Sequence, residues 1–324
     1  MAIITVDGVR FGYDAAGDGP PVVFIHAALA DRRMWDHQFR ALAATHRVVR
    51  FDWRGYGESD DAAGAASAVE AVRDTDAAGA AGVAGVVEAA VADRAGAVEA
   101  TERFARYEDV LGVMDALGIE RAVLVGCSMG GAQALEAALA APERIRALVL
   151  ICPGLPDFSW PAEAAAAMSA RIAELVPPQR LAAYRDGTAD EIDPADVRAM
   201  AEFNVRQLVV GPGRPRSALA PEVWRSAVDM CAAMFEREWR RPPYPERFLE
   251  PAASGRLAEV TAPTLVIKAL ADDPALVAVC DRLAAGVPGA RLMEIPDTGH
   301  LPPIERPDEV SAALAGFLAG LAGD

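Results

Sequence analysis

A serine stands with glycine two residues away on either side, in Gly126-Cys127-Ser128-Met129-Gly130, between a short branched apolar run (Ala122 to Val125) and an apolar, alanine-rich stretch from Ala132 to Ala141. The run reads as a buried strand and the stretch as a helix, so a sharp turn falls between them. Such a corner leaves no room for side chains beside its apex, which suits the two glycines. Ser128 is then held out at the top of a sheet. The N–H groups that follow it open a helix, where unpaired donors and the helix dipole stabilise an oxyanion. The chemistry this spacing allows is nucleophilic attack on an acyl carbon.

A serine hydroxyl needs an adjacent base, and a base works best when a carboxylate fixes its tautomer. Only four histidines are available. His37 and His46 fall in or beside a first crossover helix, and His26 ends an early strand ahead of the loop expected to hold an oxyanion. His300 follows the last strand in the turn-forming run Pro296-Asp-Thr-Gly-His300, whose small residues let the imidazole project. It is the expected base. Asp272 sits just past a strand end between the two, which completes the order Ser, Asp, His that a strand-to-helix elbow predicts.

The elements that must carry these groups alternate. Ile3 to Val6 and Val9 to Tyr13 flank Asp7-Gly8 and read as a hairpin. Val22 to His26, Val48 to Asp52, Ala122 to Val125, Ile145 to Ile151, Pro263 to Lys268 and Ala290 to Ile295 read as strands, with helical segments between them near 34–43, 104–117, 132–141, 275–285 and 307–321. The expected fold is α/β: a doubly wound, mostly parallel eight-stranded sheet, with functional groups in loops at the carboxyl ends of the strands. Residues 1–154 and 258–324 form this core. Residues 155–257 change to helices with proline-rich joints and read as an inserted cap. There Trp160, Trp224 and Trp239, with Phe203, Met230, Met234 and Phe235, line either a substrate pocket or the cap's own core. From 61 to 100 roughly half the residues are Ala or Gly with no aromatic, an insertion too poor in large apolar groups to bury much surface.

The net charge of −16 over 324 residues argues against nucleic acid or an anionic membrane as partner. The N-terminus has no signal-peptide pattern, and no stretch is apolar enough to span a membrane, so the expected place is the cytoplasm. The four scattered cysteines (Cys127, Cys152, Cys231, Cys280) show no zinc spacing and read as reduced thiols; no metal is expected.

The segments Val-Phe-Ile-His26-Ala27-Ala28, Asp52-Trp-Arg54-Gly55-Tyr-Gly57-Glu-Ser59, Gly126-Cys-Ser128-Met-Gly130-Gly131, Pro263-Thr-Leu-Val-Ile267 with Asp272-Asp-Pro274, and Thr298-Gly299-His300 running on to Glu305-Arg-Pro307 together resemble the α/β-hydrolase fold family. The resemblance covers the chain apart from the cap and the Ala/Gly-rich insertion. It implies Ser128 as nucleophile, Asp272 as orienting acid and His300 as base, with backbone N–H groups of Ala28 and Met129 as oxyanion donors. The chain departs from the family pattern at Ala27, where a glycine is usual, and at Ala269. Asp273 is the fallback acid, since a slip of one residue exchanges the two carboxylates. His26, Arg54 and Glu305 match family motifs as loop-fixing residues.

The implied reaction is hydrolysis of a small carboxylic ester or lactone without a cofactor, on a small-molecule substrate. Enol-lactonases of aromatic catabolism look similar, and their acidic substrates would want a cation in the cap, for which Arg206, Arg214 and Arg216 are the candidates. The same triad serves carbon–carbon bond hydrolases of ring-cleavage products and cofactor-free perhydrolases of haloperoxidase type. A ligand-binding sensor with a hydrolase pocket is the reading from a different class.

Overall fold

A computed structural model describes residues 2–61, 104–240 and 246–321; the Ala/Gly-rich insertion beyond residue 61 lies outside the described residues. The eight expected strands are β1 (Ala2–Val6), β2 (Val9–Ala16), β3 (Pro21–Ile25), β4 (Arg47–Phe51), β5 (Ala122–Cys127), β6 (Ile145–Ile151), β7 (Thr264–Ala269) and β8 (Arg291–Ile295). They form one sheet in the order β1-β2-β4-β3-β5-β6-β7-β8. Both residues of the hairpin turn, Asp7 (φ 47) and Gly8 (φ 79), take the positive φ that a two-residue turn requires. The second strand runs on to Ala16, past the expected Tyr13, because its first half pairs with β1 and its second half, Tyr13 to Ala16, pairs antiparallel with β4. From β4 to β8 every neighbouring pair is parallel.

Alternation along the strands divides the core. Val22, Phe24, Val123, Val125, Val149 and Ile267 face one apolar cluster, and Val23, Ile25, Leu124, Leu148, Leu150 and Val266 face a second. The first is covered by α1 (Asp36–Leu42) and the C-terminal helices, the second by α2 (Arg106–Ala116) and α3 (Met129–Ala140). The elbow helix α3 begins three residues before the expected Ala132. Gly130 and Gly131 look like turn residues in the sequence, but they are packed inside the first helical turn.

Between β6 and β7 come α4 (Ala162–Leu175), α5 (Pro178–Arg185), α6 (Pro194–Asn204), a π-helix (Val205–Val210) and α7 (Pro221–Trp239). Their buried residues, among them Val205, Leu208, Met234 and Phe235, belong to the same apolar cluster as Val125 and Ile267 of the sheet, so this helical segment shares a core with one sheet face. After β7, α8 (Pro274–Gly286) crosses back, and the chain ends with the short α9 (Pro302–Glu305) and α10 (Pro307–Gly320). Among the described residues no helix is long and apolar enough to cross a membrane.

Buried charges tie the loops to this frame. Arg54 forms a two-pronged pair with Asp109 of α2, both nearly enclosed, and Arg106 bonds Glu246 at 2.9 Å. Glu136 of α3 is 2% exposed and accepts the Leu249 N–H at 2.7 Å; burial pushes its carboxyl up to about 7, against an ordinary value of 4.5. The folded chain therefore holds this proton more tightly than the unfolded one. The stabilising contribution is complete below about pH 4.5 and is lost as pH rises through about 7. Glu136→Gln keeps an acceptor for Leu249 and removes the titration. Between about pH 5 and about pH 8 the variant is expected to gain about 2 kcal/mol on the wild type. Urea unfolding at the two pH values checks this, and a constant difference would show that Glu136 titrates normally.

Candidate active site

Ser128 sits between the end of β5 and the first residue of α3 with φ 55 and ψ −125, a backbone conformation that costs any residue with a side chain. Four backbone bonds hold it there: Ser128 N–H to Ile151 O at 3.0 Å, and to Ser128 O the N–H groups of Gly131 and Gly154 at 2.9 Å each and of Ala132 at 3.2 Å. The flanking glycines are required by contact. A Cβ at Gly126 would run into the Gly130 carbonyl and the Gly131 nitrogen, and a Cβ at Gly130 into the carbonyls of Ile25 and His26. The second contact presses the elbow against the end of β3. Although Ser128 is in the N-cap position, its hydroxyl does not cap the helix. It is directed to His300 instead.

His300 Nε2 lies 2.8 Å from Ser128 Oγ, and its Nδ1 lies 2.6 Å from Asp272 Oδ2. His300 and Asp272 are buried, 2% and 4% exposed. With Nδ1–H donated to the carboxylate, Nε2 is left to accept the serine proton, the arrangement that general-base activation needs. Asp272 Oδ1 also accepts the Asp273 N–H at 2.7 Å, so both carboxylate oxygens are held. The fallback acid, Asp273, has another occupation: it caps α8, accepting the Ala275 N–H at 2.9 Å. Burial raises its carboxyl above the ordinary range. By position, Asp272 and not Asp273 is the carboxylate that meets His300.

Met129 opens α3, so its N–H has no acceptor within the helix. Ala28 lies in the loop after β3, which the Gly130 contact brings beside the elbow. His26 organises that loop. Its Nε2 accepts the Trp53 N–H at 3.1 Å, which leaves Nδ1–H to donate to Ala27 O at 2.8 Å, and its ring stacks on Trp53 with centroids 4.4 Å apart. Burial lowers its pKa and keeps the ring neutral. His26 is therefore a loop-fixing residue, as the sequence motif implied, and so is Arg54 through Asp109.

The three tryptophans of the helical segment are buried in its apolar cluster. Trp239 stacks on Tyr184 at 4.7 Å and touches Phe235 at 5.3 Å; Trp224 lies under the Arg216 guanidinium at 4.6 Å. Packing accounts for both without a ligand. Trp160 meets Phe158 edge-on at 5.3 Å, and its buried indole N–H has no acceptor among the described residues. The arginines considered as anchors for an acidic substrate are engaged elsewhere: Arg206 with Gly211 O at 3.0 Å, Arg214 with Glu305, and Arg216 over Trp224. Each guanidinium thus has a partner within the fold.

Cys152, at φ 41 just after β6, places its sulfur with Asp272 and His300 so that one ligand atom of each lies within 4.8 Å of the others. The spacing would suit a metal ion, but Asp272 and His300 are already bonded to each other, and burial holds the thiol protonated, well above its ordinary range. Of the two groups that hold the His300 loop from behind, sequence reasoning names Glu305 and misses Leu208. Leu208 O accepts the His300 N–H, and Glu305 accepts the Gly299 N–H at 2.9 Å. Glu305 carried a motif signal; Leu208, in a run that reads as one more apolar helix, carried none.

A serine on a strand-to-helix corner at the carboxyl edge of a mostly parallel sheet, bonded to a histidine and through it to an aspartate, defines an α/β hydrolase. The chain belongs to that family: residues 20–307 match the family model described as alpha/beta hydrolase fold. It is 24% identical over 307 residues to 3-oxoadipate enol-lactonase 1 of Acinetobacter baylyi, covering 94% of this chain and 90% of that one. It is 27% identical over 327 residues to the rhodomycin D methylesterase DauP of Streptomyces sp. (strain C5), covering 96% of each. Among solved structures it is similar to Est816, described as an N-acyl homoserine lactone degrading enzyme, with a TM-score of 0.61 and 25% identity over 98% of this chain and 100% of that one. Further relatives carry the names 2-hydroxy-6-oxo-6-phenylhexa-2,4-dienoate hydrolase and non-heme bromoperoxidase.

Proposed function

We propose that this hydrolase cleaves a small carboxylic ester or lactone through an acyl-enzyme on Ser128. The observation that carries the reading is the continuous chain Ser128 Oγ, His300, Asp272, at 2.8 and 2.6 Å, on a backbone strained to present the hydroxyl. His300 takes the serine proton as Oγ attacks the carbonyl carbon. The N–H groups of Met129 and Ala28 receive the developing oxyanion, His300 protonates the leaving alcohol, and water activated by the same imidazole releases the acid. In a lactone the leaving alcohol stays attached, and one hydroxy acid results. The relatives named for lactone and methyl-ester substrates support this choice. With Arg206, Arg214 and Arg216 engaged, an uncharged substrate suits the site better than an acidic one.

The test is incubation with a fluorophosphonate, intact mass and peptide mapping, followed by a panel of neutral esters, lactones and a vinylogous diketone. One adduct on Ser128 with ester or lactone turnover is expected. An adduct with turnover of the diketone alone would move the reaction to carbon–carbon cleavage, and binding of panel members without any adduct would favour a sensor.

A further inference from the structure

The π-helix Val205–Val210, in the helical segment, touches both loops that carry the proton-handling groups. Leu208 O accepts the His300 N–H at 3.1 Å. Gly299 lies so close to the same turn that a Cβ there would run into the carbonyl oxygens of Val209 and Leu208. At the end of the turn, Gly211 (φ 89) rests against the carbonyl of Ala271, the residue before Asp272. Ala271 N–H in turn donates to Thr298 O at 3.0 Å, so the acid loop, the base loop and the π-turn close on one another.

One ion pair fastens this junction. Arg214 Nη1 donates to Val210 O at 2.8 Å, the last residue of the π-turn, and the guanidinium pairs with Glu305, whose Oε2 accepts the Gly299 N–H at 2.9 Å. The side chains of Arg214 and Glu305 are 14% and 3% exposed. A planar fork on an enclosed carboxylate resists reorientation far better than a surface pair. Neither side chain bonds Ser128, His300 or Asp272 directly.

We infer that Arg214 and Glu305 are positioning residues for His300: by clamping the π-turn between the two loops they set the His300 bonds to Ser128 and Asp272. The inference rests on the serine-hydrolase reading above. Proton transfer needs heavy atoms within hydrogen-bond reach, and a displacement of about 1 Å costs about 100-fold in rate. Helical residues with no reacting group thereby become part of what makes the serine reactive.

The experiment uses the full chain with Arg214→Met, Arg214→Lys and Glu305→Gln. It reads the rate of fluorophosphonate labelling of Ser128, kcat and KM on the best panel substrate, the pH profile of kcat/KM, and the melting temperature. Arg214→Met is expected to label about 30- to 100-fold more slowly, with a matching fall in kcat and KM within about twofold, and to move the acid limb of the pH profile. Arg214→Lys keeps the charge without the fork and is expected to lose about 10-fold. Glu305→Gln, whose amide oxygen still accepts from Gly299, is expected to fall between the wild type and Arg214→Met. Folded variants that melt lower yet label at the wild-type rate with an unmoved pH profile would overturn the inference, leaving a structural pair. Should Arg214→Met fail to fold, the other two variants decide by the same criteria. A wild type that takes no adduct would instead overturn the underlying reading, and the inference with it.

Discussion

Ser128→Ala is expected to take no fluorophosphonate adduct and to turn over any ester or lactone the wild type cleaves at least ~10⁴-fold more slowly. The substitution removes one oxygen whose hydrogen bond runs to His300. The backbone bonds from Ser128 to Ile151, Gly131 and Gly154 stay, and φ 55 is as costly for serine as for alanine. The variant should therefore fold like the wild type, and its failure to react is chemical. Intact mass after labelling, with kcat/KM on the best panel substrate, checks both parts. A variant that keeps even a tenth of the activity would mean that another group attacks the substrate.

The two adjacent aspartates should separate cleanly. Asp272→Asn leaves the shape of the site but replaces an obligatory acceptor opposite His300 Nδ1 by an amide that can present N–H instead, which favours the wrong imidazole tautomer. The expected loss in kcat is ~10⁴-fold, with KM little changed. Asp273→Ala removes the cap of α8 while leaving Asp272 bonded to His300. Its expected cost is about 1 kcal/mol of stability with kcat close to the wild type. Kinetics and denaturant unfolding on both variants test the assignment. A large kcat loss in Asp273→Ala with normal kinetics in Asp272→Asn would reverse it.

Much of this is legible in the sequence. Strand alternation in Val22 to Ile25 and Val48 to Phe51, the Asp7-Gly8 turn, and the glycines around Ser128 are local signals, set by backbone sterics and by which face of a strand is buried. His300 was legible for a similar reason: a histidine just past the last strand in a Thr-Gly turn belongs at the carboxyl edge of the sheet. Asp272 is preferred over Asp273 only through the family resemblance, because one residue of slip changes which carboxylate faces inward, and the loop's approach to His300 is what places Asp272 there. The sequence places the start of α3 too late because Gly130 and Gly131 resemble a turn, and their helical role depends on Ile25, His26 and Pro153 pressing against them.

By itself the sequence determined the doubly wound sheet, the elbow and the order of Ser128, Asp272 and His300 at strand ends, since hydrophobic period, glycine placement and chain order are properties of neighbours along the chain. Tertiary structure alone decided that Arg214 meets Glu305, that Trp224 and Trp239 pack into the protein's own core, and that a π-turn more than ninety residues before His300 accepts its N–H. Those contacts join segments far apart in the chain, and which polar group finds which partner is set by the packing of whole helices against the sheet.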